Sequence, residues 1–216
     1  MKQKNIFIAS AILLLLAFVV GAFMYKSQKA EQAAQTAVQN REALVRFHSP
    51  TIGGSDAKVH LVEFLDPACE TCRDFYPFVK KLMDANPGKI KLSLRYAPFH
   101  GGSDQVVRIL EAARKQGKYW QALEALLAAQ PSWVVHHTAQ VNLVWPQLDG
   151  LGLDIERIRS DMNSPDITRI IEQDIADART LNVTKTPEYF VNGKPLPSFG
   201  YEQLQKLVDE ELARAS

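Results

Sequence analysis

Cys69 and Cys72, the only cysteines in 216 residues, stand where one kind of sequence gives way to another. Before them runs Val59-His60-Leu61-Val62-Glu63-Phe64-Leu65, mostly apolar and of strand length; after them Phe75, Phe78, Val79 and Leu82 recur at helical spacing. The pattern predicts a strand over 58–66 and a helix over about 70–85, with Cys69 at the helix start. A sulfur there meets unpaired backbone N–H groups and the positive end of the helix dipole, both of which favour the thiolate. Three readings of C-x-x-C are open: a redox disulfide, half of a zinc site, or two unrelated thiols. The spacing lets the two sulfurs reach bonding distance without strain. Zinc would need two further Cys or His ligands. No second C-x-x-C exists, and His48, His60, His100, His136 and His137 show no ligand spacing, so no metal site is expected.

Composition narrows the function. A formal net charge of +1, with no dense Lys/Arg cluster, gives no electrostatic case for nucleic acid as a partner. With 46% hydrophobic residues the chain can build a core without a disulfide framework, so the cysteine pair is expected to serve chemistry. Residues Ile6 to Met24 are nearly all apolar and carry no charge; about 19 residues suffice to cross a bilayer. A cleaved signal has a shorter apolar core, roughly 7 to 15 residues, and only a weak Val20-x-Ala22 site follows here. Residues 1–25 are therefore expected to be an uncleaved anchor. Lys2 and Lys4 favour a cytoplasmic N-terminus, while Lys26 and Lys29 weaken that vote. Residues 26–50, rich in Ala, Gln and Glu, read as a helical stalk. The stripe Ala30, Ala33, Ala37, Leu44 buries too little area for a dimerising coil. Ser49-Pro50-Thr51-Ile52-Gly53-Gly54 ends the stalk and opens the domain, 51–216.

Within the domain a second strand is expected at Ile90 to Tyr96, where Ile90, Leu92 and Leu94 alternate with polar residues. From about 101 to 182 no strand signal appears. Helical periodicity runs through Val106, Val107, Leu110 and Ala113, then Trp120, Leu123, Leu126 and Leu127, and further helices span 154–162 and 165–181. Gly101-Gly102 turns the chain into this insert, with Ser103 as the helix cap. Strand returns at Glu188 to Val191, and Asn192-Gly193 signals a two-residue hairpin. Pro195 and Pro197 place the next strand at a sheet edge. A last helix covers about Tyr201 to Ala213. Trp120, Trp133 and Trp145 read as core or groove-lining, and His136-His137 as surface or insert packing.

These features together resemble the DsbA-like thioredoxin-fold thiol-disulfide oxidoreductases. The resemblance covers roughly residues 50 to 215. It is carried by Glu63-Phe64 and Asp66-Pro67 before Cys69-Glu70-Thr71-Cys72, by the helical insert with Gln116-Gly117-Lys118-Tyr119-Trp120, by Thr186-Pro187 before the hairpin, and by the closing helix. It implies an α/β, thioredoxin-like fold with a helical insertion over about 101–182, behind a transmembrane helix and stalk. It further implies an exposed nucleophilic Cys69 and a buried, resolving Cys72. Thr186 and a cis Pro187 bind substrate in this reading, and Glu63 is the candidate proton relay.

The expected function is exchange of disulfides with exported proteins through Cys69–Cys72, as oxidase in preference to reductase or isomerase. A DsbB-like or reductase membrane partner is expected, with no cofactor, and the site faces the periplasm from the inner membrane. Glu70 and Thr71 are tuning positions: a negative charge beside Cys69 disfavours the thiolate, making the pair less oxidising than in DsbA, with Arg73 a partial offset. A dithiol copper-handling protein is the alternative from another class.

Overall fold

The computed structural model describes residues 2–214, with side chains from 13 onward except at 37 and 39. Met1, residues 215–216 and the side chains of Lys2, Lys4 and Ala37 lie outside the described residues. In chain order the elements are α1 (Lys2–Gln39), α2 (Arg41–Leu44), β1 (Thr51–Ile52), β2 (Val59–Leu65), α3 (Glu70–Ala85), β3 (Ile90–Tyr96), α4 (Ser103–Lys115), α5 (Tyr119–Ala128), α6 (Gln130–Trp133), β4 (Val134–Val135), β5 (Thr138–Ala139) and α7 (Val141–Val144). After a 3₁₀ turn at Trp145–Leu148 follow α8 (Ile155–Asp161), α9 (Pro165–Thr180), β6 (Glu188–Val191), β7 (Lys194–Pro195) and α10 (Tyr201–Arg214).

α1 is one continuous helix, and its stretch Leu13–Thr36 is long and apolar enough to cross a membrane. Leu13, Leu16, Phe18, Phe23 and Tyr25 are all exposed, a pattern that suits lipid and not water. It fits a single-pass anchor or a signal sequence. The segment after it is no free stalk. α2 buries Ala43 and Leu44, Arg46 pairs with Asp177 at 2.7 Å, and His48 reaches Asp174 at 2.6 Å. Thr51–Ile52, expected only to break a helix, pairs antiparallel with β3 as an edge strand.

The sheet order is β1-β3-β2-β6-β7, with β2 parallel to β3 and antiparallel to β6. β2 is central and packed on both faces, which explains its near-continuous apolar sequence. Leu61 and Leu65 join the core around α3 and α10, whereas Val62 and Phe64 join a second cluster with Leu44 and Ala178. Strand alternation therefore points Glu63 toward α3. Asn192 and Gly193 both adopt positive φ, as a type I′ hairpin requires, and Pro195 lies on the edge strand.

Two features of the insert differ from expectation. Between α6 and α7 lies a small hairpin, β4–β5, too short to produce alternation in the sequence. α9, read as part of the insert, lies on β3: Asp174 accepts from the Tyr96 N–H at 2.8 Å and, with Asp177, binds the buried Arg95. An amphipathic helix has the same periodicity whether it covers a sheet or builds an insert.

Candidate active site

Cys69 is the N-cap of α3, with extended backbone (φ −80, ψ 120), and so lies at the positive end of the helix dipole. Both cysteines are free thiols. Cys72 is fully buried. Cys69 was expected to be exposed and is not: it is 5% exposed, because groups distant in sequence close over it. Its Sγ lies 3.2 Å from the Thr186 carbonyl oxygen, and Gln130 Nε2 donates to the carbonyls of Pro67 and Cys69. The Thr186–Pro187 peptide bond is cis.

The two sulfurs have opposite acidities. The Cys72 thiol lowers the Cys69 pKa most; the Thr186 side chain and the backbone N–H groups of Cys72 and Thr71 add to this against burial, bringing it to about 6. Burial pushes Cys72 well above the ordinary thiol range, with Cys69 and Glu63 adding to the rise. Glu63 is fully buried, and neither carboxyl oxygen has a hydrogen-bond partner among the described residues. Burial raises its pKa to about 8, opposed by Tyr189, its register partner on β6, and reinforced by Cys69.

Beside the sulfurs lies a polar cluster that sequence reasoning missed. Asp66, buried at the end of β2, accepts from the backbone N–H groups of Ala68, Phe99 and His100 and from the Ser103 hydroxyl. Ser103 therefore holds this loop and does not cap α4, whose N-cap is Gly102. His100 Nδ1 lies 2.7 Å from Asp66, and its pKa is raised: burial works against the charge but Asp66, Cys69 and Glu70 outweigh it. His137 Nδ1 is 3.2 Å from Glu70, and the two histidine rings are 6.0 Å apart. His136 and His137, read as surface or insert packing, are both exposed at the surface, where they form the β4–β5 turn that brings His137 beside Glu70. Glu70 is thus not a lone negative charge beside Cys69. Arg73, the expected offset, pairs with Asp74. On the other flank Tyr201 stacks on Phe75 at 4.1 Å and Phe199 lies 4.6 Å from the same ring, both partly exposed. Trp133 is buried, donating to the Leu126 carbonyl.

Residues 46–210 match the family described as Thioredoxin. A thioredoxin-like oxidoreductase from Silicibacter pomeroyi is 33% identical, with a TM-score of 0.69, covering 82% of this chain and 98% of that one. The probable disulfide bond formation protein D of Bacillus anthracis is 26% identical, over 99% of this chain and 100% of its own. The Na(+)/H(+) antiporter NhaA of Herminiimonas arsenicoxydans is 30% identical over 67% of this chain, a match spanning only 22% of the antiporter. The chain belongs to the thioredoxin family, in its DsbA-like class of thiol-disulfide oxidoreductases.

Proposed function

We propose that the chain oxidises exported proteins, with Cys69 as the sulfur that meets substrate and Cys72 as the resolving thiol. The observation that carries the reading is the placement of the pair, with Cys69 at the helix cap 3.2 Å from the Thr186 carbonyl oxygen and Cys72 fully buried one turn inside. The acidities split accordingly, about 6 against a strongly raised partner. In the oxidising direction a substrate thiolate attacks Cys69 Sγ of the disulfide. The Cys69–Cys72 bond breaks, Cys72 leaves and takes a proton relayed by Glu63, and a mixed disulfide remains. A second substrate thiolate then attacks the substrate sulfur of that bond and releases Cys69 as a thiolate. Two electrons have entered the pair, and a membrane redox partner removes them. Thr186 and Pro187, against Cys69, offer the substrate chain its docking edge. α1 anchors the domain in the inner membrane, facing the periplasm, where exported substrates fold.

Glu70 and Thr71 tune the pair in this reading, and a Cys69 pKa of about 6 falls between those of DsbA, about 3.5, and thioredoxin, about 7. The disulfide is accordingly expected to be more reducing than DsbA's. Equilibration against glutathione measures this, and a value as oxidising as DsbA's contradicts it.

Trapping tests the assignment of roles. Full-length Cys72→Ala is expected to accumulate mixed disulfides with exported proteins through Cys69, and Cys69→Ala to accumulate none. The reverse pattern would exchange the two roles. A Cys72→Ala variant that traps nothing, beside a wild-type protein that binds stoichiometric copper through its dithiol and shows no exchange activity, would favour metal handling.

A further inference from the structure

We infer that Glu70, His100 and His137 form a binding site for a divalent ion of the zinc class on the lip of the redox site. One ligand atom from each of the three lies within 4.8 Å of the others, with Glu70 and His100 half-buried and His137 exposed. Two imidazoles and a carboxylate make a known zinc ligand set that leaves a fourth position open. Zinc bonds of about 2.0–2.1 Å in tetrahedral geometry hold ligand atoms roughly 3.3 Å apart. His137 Nδ1 and Glu70 Oε2 already stand 3.2 Å apart, and the distances to the His100 ligand atom, no more than 4.8 Å, need shorten by about 1.5 Å at most.

His100 supplies a second, independent observation. Asp66 is fully buried and accepts three backbone N–H groups and the Ser103 hydroxyl, leaving its carboxylate an acceptor toward the ring. The imidazole therefore donates through Nδ1, at 2.7 Å, and presents the lone pair of Nε2. A carboxylate behind a histidine in this manner fixes the tautomer and raises the basicity of metal-ligating imidazoles. Glu70 and Asp66 together also balance the charge of a divalent ion.

The backbone holds the ligands in register. His136 and His137 both have positive φ, 48° and 58°, as the two-residue turn between β4 and β5 requires, and that turn carries His137 to Glu70. Their hairpin is pinned to the His100 loop by the Gly101–Thr138 bridge and by the Ala139 N–H donating to Gly101 at 2.8 Å. Gly102, at φ 71°, packs so closely that a Cβ there would lie 2.8 Å from the Ala139 carbonyl oxygen. A helix start, a post-strand loop and a hairpin turn thus converge on one point. Neither sulfur is a ligand, so the site stands whether or not the exchange reading does.

Calorimetric titration of Zn²⁺ into the full-length protein in detergent tests this, using both the oxidised protein and a Cys69→Ser/Cys72→Ser variant so that thiols cannot bind. One ion per chain is expected in both. His137→Ala and Glu70→Gln should each weaken binding at least about tenfold, and His136→Ala, beside the site, less than about twofold. Zn²⁺ held only when the thiols are present and reduced would assign the ion to the dithiol and overturn the site. Equal affinity in His137→Ala and wild type, or no binding at millimolar Zn²⁺, would overturn it as well.

Discussion

Replacing Arg95 with methionine is expected to lower the unfolding free energy by about 3–5 kcal/mol, the cost of removing one partner from a buried ion pair. For a domain of this size that corresponds to a fall of roughly 6–20 °C in melting temperature. Arg95 is fully buried on β3, yet its guanidinium is occupied on every side. Nε and Nη2 donate to Asp174 Oδ1 at 2.9 and 2.7 Å, Nη2 also to Asp177 Oδ2 at 2.6 Å, and Nη1 to the Ala43 carbonyl. Without it, Asp174 keeps the Tyr96 N–H and His48 but loses its buried cation, while Asp177 keeps Arg46. Arg46 has a side chain 32% exposed, so solvent screens it, and Arg46→Ala should cost about 1 kcal/mol or less. Three of these contacts, from Ala43, Arg46 and His48, belong to the segment that follows α1. Arg95→Met should therefore also release residues 41–50 to limited proteolysis well below the melting temperature. Thermal melts of the full-length protein, followed by near-ultraviolet circular dichroism, check the first effect. A variant melting within about 2 °C of wild type would show that the network contributes no net stability.

How far such features could be read beforehand depends on how far apart their residues lie in the chain. β2 and its passage into α3 were legible because a strand buried on both faces must be apolar throughout, and because Phe75, Val79 and Leu82 fall on one side of the following helix. Asn192-Gly193 was legible because few residues accept two successive positive φ angles. The two-residue strands β1, β4 and β5 left no period to detect. The strand-to-helix passage locates Cys69 at the helix start, but its burial depends on Thr186, 117 residues away, and Gln130, 61 residues away. For Glu70 the sequence offers Arg73 as the offsetting charge, because the histidine that actually lies beside it is separated by 67 positions. The available signals were weak ones: an aspartate closing a buried strand, a histidine before Gly101-Gly102, and a histidine pair between Val134-Val135 and Thr138. Each has an ordinary local meaning, and only tertiary packing joins them.

Glu63→Gln is expected to move stability and exchange in opposite directions. The carboxyl is fully buried, and among the described residues neither its oxygens nor the hydroxyl of its neighbour Tyr189 has a hydrogen-bond partner. Burial raises the folded-state pKa to about 8 from an ordinary 4.5. Below 4.5 both folded and unfolded chains hold the proton, so the group adds no pH dependence. Between those values the unfolded chain releases it and the folded chain keeps it, so stability declines as pH rises. Above about 8 the loss is complete, and the shift corresponds to roughly 5 kcal/mol as an upper figure, since relaxation and water entry reduce it. Glutamine resembles the protonated acid but cannot ionise. The variant should match wild type near pH 4, in the approximation that an amide substitutes for a neutral carboxyl, and exceed it by up to that amount at about pH 9. Exchange should suffer instead. Cys72, whose pKa burial and Glu63 both raise, must gain a proton as it leaves and lose it as it attacks. Removing a positioned acid–base group costs about 10²-fold or more in such a step. Denaturant unfolding across pH, together with the lifetime of the mixed disulfide on Cys69, reads both effects. Unchanged stability at every pH would remove the argument from burial. A stabilised variant that resolves its mixed disulfide at the wild-type rate would leave Glu63 a buried acid with no part in proton transfer, and the proton would have to reach Cys72 from the side of Cys69 and the substrate.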